Sequence, residues 1–502
     1  MLNKNFNYEF QKILKKYKNK TAIIDLQNNK FTFNFLEKNS DLIANYLIKK
    51  HEKGSVALIQ SNKDICTFLA IIACLKAGFP YVMLDNNLPK ARINHIISSS
   101  SSKFFLSTNK NHNVILKTYL INKVIKEKIS KNNKKHYNNV NENSIAYIMF
   151  TSGSTGVPKG AKISHKSLLI FKDQSKKNFK ISRNDIFTQL NPLYFDNSIF
   201  DIFSSLLNGN TLVLFEKLNI YKPESMIRRI KYHKCTIWFS TPSLLIYLIN
   251  MSLIQKAPFK SLKKIIFGGE PFPKDKLLNL YKKLKNKNFY NVYGPTECTC
   301  ICSSYLIKEK DLNDESSMYV SLGKIWKPIN YKILNKNKKR NKNGELILTG
   351  NSVAHGYAGN TRLTKKFFYN LNTKKRGYRT GDIVYEDKKN KNLYFVGRKD
   401  SQIKHMGYRI ELNEIEVAIN KIKGVKEVSV FYSKKNMGNI VAVLGSNNHK
   451  LTNEKINNGI LKFLPKYFLP NHIFMSKNLP KNSNGKIDKT KIRSLYENKI
   501  SH

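Results

Sequence analysis

The sequence predicts an α/β protein. A large N-terminal domain combines mixed and parallel sheets with helices and carries a β-rich subdomain, and a small α+β domain follows it. Three observations predict this. Short β-branched segments alternate with helix-period segments over residues 21–300, and strands separated by helices tend to pair in parallel. Residues 331–396 lose the helical period and read as short strands with turns. After Gly397-Arg-Lys-Asp400 a new helix–strand–strand–helix pattern begins. The domains are therefore set at 1–398 and 401–502, with a boundary near Asp400, and no internal repeat is found.

The first α/β subdomain starts with a strand at 21–25. A helix at 36–50 follows, with Leu42, Ile43, Tyr46 and Leu47 on one face, then a strand at 56–59 and a buried helix at 67–76. Residues 123–143, rich in Lys and Asn, read as an exposed linker. The alternation resumes with a strand at 145–150, a helix from Ser167, a strand at 211–215, a helix at 223–233 and a strand at 235–240. The β-rich part shows strands at 344–349 and 392–396. The last domain reads as a helix at 412–421, strands at 425–432 and 440–444, and a helix at 453–464.

Composition removes several classes. The chain of 502 residues is 41% hydrophobic and 11% aromatic, too apolar for a disordered protein. Its longest apolar run, Phe68-Leu-Ala-Ile-Ile-Ala-Cys-Leu75, has eight residues, whereas a membrane span takes about 20. The N-terminus lacks the apolar stretch of a secretion signal. A cytoplasmic protein with no membrane partner is expected. The six cysteines include no C-x-x-C pair. Cys298-Thr-Cys-Ile-Cys302 alternates with period two, as on one face of a strand, and buried free thiols are expected rather than a zinc site.

Lys+Arg 88 against Asp+Glu 34 gives a net charge of +54. Only 11 of the 88 are Arg, and the lysines are spread end to end among asparagines. Readers of nucleic acid favour arginine, which pairs bidentately with phosphate and guanine. The pattern therefore disfavours nucleic acid as a partner and favours attraction of acidic proteins.

The segment most telling about chemistry is Tyr147-Ile-Met-Phe-Thr151-Ser-Gly-Ser-Thr-Gly-Val-Pro-Lys-Gly160. A strand runs into hydroxyls and glycines and then a lysine. Glycines let a backbone approach a ligand closely, and N–H groups, hydroxyls and Lys159 can surround a polyphosphate. The spacing is not that of a Walker loop, because Lys159 follows Pro158. Further along stand Asn191-Pro-Leu-Tyr-Phe-Asp-Asn-Ser-Ile-Phe-Asp201, Phe267-Gly-Gly-Glu270 and Asn291-Val-Tyr-Gly-Pro-Thr-Glu297. They are followed by Gly344-Glu-Leu-Ile347, Tyr378-Arg-Thr-Gly-Asp382, Gly397-Arg-Lys-Asp-Ser-Gln-Ile-Lys404, Gly407-Tyr-Arg-Ile-Glu-Leu412 and Asn484-Gly-Lys-Ile-Asp488.

This ordered set, spread over nearly the whole chain, resembles the adenylate-forming superfamily. Ser240-Thr-Pro-Ser243 and Asn484-Gly-Lys486 most resemble its amino-acid-activating members, the D-alanine–carrier-protein ligases and peptide-synthetase adenylation domains. The resemblance implies ATP and Mg²⁺ as cofactors. It implies activation of an amino acid as aminoacyl-AMP with release of pyrophosphate, then transfer to the phosphopantetheine thiol of an acidic carrier protein. The alternative is an acyl- or aryl-CoA (or acyl-carrier) ligase with a non-amino carboxylate. It also implies that the C-terminal domain is mobile, and a monomer is expected.

The resemblance further implies roles. Lys486 is the catalytic lysine, with Thr296, Glu297 and Arg398 beside it, and Glu297 is the Mg²⁺ ligand. The nucleotide is held by Thr151, Ser152, Gly153, Ser154, Thr155, Gly156, Lys159, Gly269, Glu270, Asn291, Tyr293, Gly294 and Asp382. Asp400 is the hinge, and Gly407 lines the thiol tunnel. Physical chemistry agrees with the types: a carboxylate is a hard ligand for Mg²⁺, and cations and donors must be in place where charge gathers on phosphorus.

Asp196 implies an amino acid, because a partly buried ammonium needs an opposite charge. An Asp capping the helix that follows is the competing reading. Asn197, Phe200, Gly268, Val292 and Ile301 line the expected substrate pocket, together with Phe239, Ile266 and Cys300. The lining is mainly apolar, so a neutral amino acid is expected. D-alanine ligases carry Cys where this chain has Gly268; the glycine is expected to open space and Phe200 and Phe239 to reduce it, so the net change in pocket size stays open.

Overall fold

The computed structural model describes residues 4–85, 87–109, 114–127, 140–153, 157–216, 223–256, 259–314, 319–335, 341–373, 375–433, 438–446, 451–482 and 487–500. It divides into two compact units. The first comprises Met1–Asn86, Ile97–Phe150 and Gly160–Lys399, and the second comprises Asn87–Ile96, Thr151–Lys159 and Asp400–His502.

The first unit is built on three sheets. A nine-stranded sheet has a parallel centre formed by Thr21–Ile24, Thr211–Leu214, Ile186–Gln189, Ile237–Ser240, Lys264–Gly268 and Asn288–Tyr293. Its edges are antiparallel, through Lys30–Thr32 at one side and Ser303–Leu306 with Lys324–Ile325 at the other. A six-stranded sheet carries Val56–Gln60, Tyr81–Leu84 and Ser102–Ser107 in parallel register, with Ile145–Thr151 parallel to Tyr81–Leu84. Val56–Gln60 and Tyr81–Leu84 are almost wholly buried, as parallel strands usually are. The third sheet, antiparallel throughout, holds Asn330–Leu334, Asn343–Thr349, Gly377–Glu386 and Leu393–Arg398, with Phe368–Tyr369 at an edge. The predicted β-rich part is this sheet.

The helix Ile65–Ala77 has all but its first two residues buried. Its N-cap Asp64 accepts from the Thr67 amide, and Gly78 closes it at φ 77°, a left-handed position that glycine occupies without a Cβ penalty. Lys76 ends the apolar run yet has no exposed side chain. It pairs with Glu37 and, at 3.0 Å, with Asp41, both on the helix Phe33–Lys50. Two carboxylates around one ammonium make this burial tolerable.

Two sequence expectations are corrected here. Of residues 123–143, 128–139 lie outside the described residues, and the two described ends are not simply exposed. Ile121–Lys126 is a helix with Ile121 and Val124 buried, and Val140 is wholly buried against Gly78. Nor do Cys298, Cys300 and Cys302 lie on a strand. Thr296–Cys298 is a 3-10 turn, Thr299 has φ 77°, and the strand starts only at Ser303. All three thiols are nevertheless buried and free.

The second unit packs the helices Leu412–Asn420, Asn453–Leu461 and Lys489–Glu497 with the three-stranded sheet Glu427–Ser433, Asn439–Gly445 and His472–Ser476. Ile415, Ile419, Val430, Ala442, Ile456 and Phe468 form its core. A hairpin of Gln402–His405 and Tyr408–Glu411 turns through Met406 (φ 50°) and Gly407 (φ 82°). Two positive φ values in a two-residue loop match the right-handed strand twist, and Asn-Gly-like pairs favour such loops. The expected long helix at 453–464 ends at Leu461, four residues before Pro465.

Candidate active site

Most of the predicted site residues in the first unit sit at or just beyond the carboxyl ends of parallel strands, where open α/β sheets bind ligands. Asn288–Tyr293 delivers Asn291 and Tyr293 and then Gly294, Thr296 and Glu297. Lys264–Gly268 delivers Gly268, Gly269 and Glu270. Ile186–Gln189 leads to the loop of Asp196.

Glycine is demanded at two of these positions. A Cβ on Gly294 would collide with the Cys300 carbonyl, and one on Gly268 would collide with the Val292 carbonyl and side chain. The expectation that Gly268 opens space is therefore corrected, because Val292 already occupies that room. Gly269 has φ 91°.

Asp196 takes the N-cap position of the helix Asn197–Leu206 but makes no side-chain cap bond. Instead its Oδ2 accepts from Thr296 Oγ1 at 2.5 Å. The capping alternative fails on this geometry. The other predicted pocket residues Phe200, Phe239, Val292, Cys300 and Ile301 are buried, with Phe200 edge-on to Phe239 at 5.1 Å. Burial, with Asp196 and Asp201 close by, pushes the Cys300 thiol well above its ordinary value, so it stays neutral. Asn197 is half-buried beside Gly269.

A second cluster gathers the predicted nucleotide residues. Asp382 and Arg398 are direct cross-strand partners, and their side chains form an ion pair. The other Asp382 oxygen accepts from the Tyr293 hydroxyl at 2.6 Å. Burial and that carboxylate raise the Tyr293 phenol well above the usual range, so it remains a donor. Asn291 donates to the Ser321 carbonyl at 2.8 Å. Glu270 accepts from the Ser243 amide at 2.6 Å, which caps the helix Pro242–Asn250 whose start is marked by the Ser240-Thr-Pro-Ser243 string.

Glu297 is fully buried. Its Oε1 accepts from Tyr357 at 2.7 Å, and its carbonyl accepts from the Ala354 amide at 2.9 Å. Tyr357 was missed by the sequence reading. Its only signal was its place a few residues after the Gly344-Glu-Leu-Ile347 string. No group of three or more His, Cys, Asp and Glu able to hold a metal occurs among the described residues.

In the second unit, Ser152 donates to the Arg409 carbonyl at 2.5 Å and the Gly153 amide donates to Glu414 Oε1 at 2.7 Å. Arg92 completes this set, 2.9 Å from Glu414 Oε2. Thr151 Oγ1 is buried without a described partner, and Lys159 is buried at 5%. The Asp400 carboxylate accepts from the Gln402 amide at 3.3 Å. Ser154, Thr155, Gly156 and Lys486 lie outside the described residues.

Comparison with known proteins agrees with this layout. Residues 10–358 match the family described as AMP-binding enzyme. The D-alanine–D-alanyl carrier protein ligase of Bacillus licheniformis is 33% identical over 438 residues, covering 85% of this chain and 86% of its own. A ligase of the same name from Bacillus cereus is 28% identical over 482 residues, 93% of this chain and 94% of its own. Among solved structures, the Vibrio cholerae adenylation domain AlmE in complex with glycyl-adenosine-5'-phosphate superposes with a TM-score of 0.83 at 21% identity, covering 98% of this chain and 97% of that one. A fused adenylation–PCP di-domain from Klebsiella oxytoca gives 0.82 at 21%, covering 94% of each. The structures carry the likeness of fold. The family match and the Bacillus licheniformis relative together span most of the sequence, and the chain belongs to the AMP-binding enzyme family.

Proposed function

We propose that this protein activates a small neutral amino acid as its aminoacyl adenylate, releasing pyrophosphate from ATP, and transfers it to the phosphopantetheine thiol of a carrier protein. The observation that carries the reading is Asp196. It is a half-buried carboxylate with no helix-capping role, close to Cys300 and bonded to Thr296 of the Gly-Pro-Thr-Glu turn. A partly buried carboxylate is a fitting partner for an α-ammonium, the opposite charges offsetting each other's desolvation. The named ligases act on D-alanine and a D-alanyl carrier protein, which makes D-alanine the first substrate to try.

In this reading the substrate carboxylate attacks the α-phosphorus, its C–O–P bond forms and the bond to pyrophosphate breaks. Thr296 donates to an α-phosphate oxygen. Asp382, held by Arg398 and Tyr293, accepts from the ribose hydroxyls through its remaining lone pairs. Thr151–Lys159 surrounds the phosphates, and Gly269, Glu270, Asn291 and Gly294 border the base. Asn197, Phe200, Val292 and Ile301 border the amino acid, and Gly268 brings Val292 close. Lys486 is the proposed cation shared by the substrate carboxylate and the α-phosphate. Asp400 is the proposed pivot between half-reactions, and Gly407 a proposed neighbour of the incoming thiol.

A single buried carboxylate, Glu297, oriented by Tyr357, suits Mg²⁺, which keeps its waters and binds mostly through phosphate oxygens. Bound there, Mg²⁺ would neutralise charge on the phosphates. We assign the reaction to the cytoplasm, where ATP and reduced thiols coexist.

The test is pyrophosphate exchange by purified protein over the twenty amino acids and D-alanine. Exchange that depends on one or a few small neutral amino acids supports the reading. Exchange with none of them, but with carboxylic acids lacking an ammonium, replaces it with an acyl- or aryl-CoA type of ligase.

A further inference from the structure

Two side chains assigned to different substrates share one proton. Thr296, the proposed donor to the nucleotide, gives its hydroxyl hydrogen to Asp196, the proposed partner of the amino-acid ammonium, over 2.5 Å. A threonine hydroxyl has a single hydrogen. While it points at Asp196 it cannot point at a phosphate oxygen. An ammonium brings three donors of its own, so its arrival at Asp196 replaces what Thr296 was supplying.

The backbone around Thr296 leaves rotation of the hydroxyl as the easy motion. The Cys298 amide donates to the Pro295 carbonyl at 2.8 Å, and the Ala354 amide to the Glu297 carbonyl at 2.9 Å. Thr299 Oγ1 donates to the Ser352 carbonyl at 3.0 Å, and the buried Tyr147 hydroxyl donates to the Thr299 carbonyl at 3.3 Å. The turn is thus tied to the strand Ile145–Thr151 and to the loop before Tyr357, while Asp196 is anchored at the start of its helix.

We propose that the Thr296–Asp196 hydrogen bond is a coupling switch: amino-acid binding releases the Thr296 hydroxyl to the α-phosphate, so the amino acid and ATP bind with positive cooperativity. This rests on the function proposed above. Reciprocity requires ATP to tighten the amino acid by the same factor. A hydrogen bond to a charged group sets the size of the effect at about tenfold.

The experiment measures binding of α,β-methylene-ATP with Mg²⁺ by isothermal titration calorimetry, without any amino acid. The proteins are the wild type, Asp196→Ala, Thr296→Val and the double variant. The switch predicts that Asp196→Ala binds the analogue about tenfold more tightly than the wild type, because Thr296 has lost its competing acceptor. In the Thr296→Val background the same change should have an effect below about twofold, since no hydroxyl is left to release. Thr296→Ser should behave as the wild type does. No tightening in Asp196→Ala, or equal tightening in both backgrounds, overturns the switch, the second outcome reporting only removal of a negative charge.

A wild-type measurement guards against a variant that does not fold. Saturating amounts of the amino acid that supports exchange should tighten the analogue about tenfold, and an unchanged affinity overturns the coupling. A wild type that binds no analogue at all is a different failure. It defeats the ATP reading itself, and the switch with it.

Discussion

Tyr357 donates its hydroxyl to Glu297 Oε1 at 2.7 Å, and both side chains are buried although 60 residues separate them. That hydrogen bond fixes the direction of the buried carboxylate and restricts its freedom to swing away.

Removing that hydroxyl should loosen Mg²⁺ without emptying the site. Tyr357→Phe is expected to raise the Mg²⁺ concentration for half-maximal exchange by about tenfold, the usual worth of a hydrogen bond to a charged group. Mn²⁺ binding followed by electron paramagnetic resonance in the presence of ATP should show the same shift. Unchanged Mg²⁺ dependence together with a lower melting temperature would mean that Tyr357 serves packing alone.

Asp196 should discriminate by the ammonium group. Asp196→Ala is expected to raise the amino-acid KM in pyrophosphate exchange by about 30-fold. The matching carboxylic acid without the amine should lose nothing in the variant. If the variant keeps its amino-acid KM, the ammonium lies elsewhere.

Salt should separate the two half-reactions. The chain carries 88 Lys and Arg against 34 Asp and Glu. An encounter with an acidic carrier is therefore screened as the Debye length shrinks from about 10 Å at 0.1 M to about 3 Å at 1 M. The loading rate should fall over that range more steeply than exchange, which involves only small molecules. Parallel salt profiles would remove charge steering from the account.

Acid should weaken the first unit through His165. This residue is 1% exposed, its Nδ1 accepts from the Phe6 amide at 3.3 Å, and burial pushes its pKa down to about 4. Between the ordinary value near 6.5 and the folded value near 4, the unfolded chain binds the proton and the folded chain does not, so stability falls as pH falls. At pH 5 the loss is about 2 kcal/mol relative to pH 7. Urea midpoints measured from pH 7 to pH 5 should drop accordingly, and His165→Gln should flatten the slope.

The periodic parts of the molecule were legible in the sequence because period is a local property. The strand Ile145–Thr151, the helix Pro223–Tyr232 and the strand Ile237–Ser240 lie within a few residues of expectation. Cys298-Thr-Cys-Ile-Cys302 imitated a strand by alternation, but Thr299 at φ 77° bends the chain there, which alternation cannot reveal. The ends of the 123–143 segment read as exposed because lysines outnumber Val124 and Val140, and burial of these apolar side chains is decided by distant neighbours such as Gly78. At the site, motif order picked out Asp196, Thr296, Glu297 and Asp382 one by one. Their mutual bonds, Thr296 to Asp196 and Tyr293 to Asp382, cross 100 and 89 residues of chain. Such pairings exist only after folding, and for the same reason Tyr357 was not singled out.

The central claim is an amino-acid-dependent attack on the α-phosphorus assisted by Lys486. Single-turnover reaction of enzyme with α-labelled ATP and the preferred amino acid, quenched in acid and resolved by mass spectrometry, observes it directly. The account predicts an aminoacyl-AMP that forms only when the amino acid is present and about 10²–10³ times more slowly in Lys486→Ala. Adenylate formation at the wild-type rate in Lys486→Ala, or AMP released without any amino acid, would contradict it.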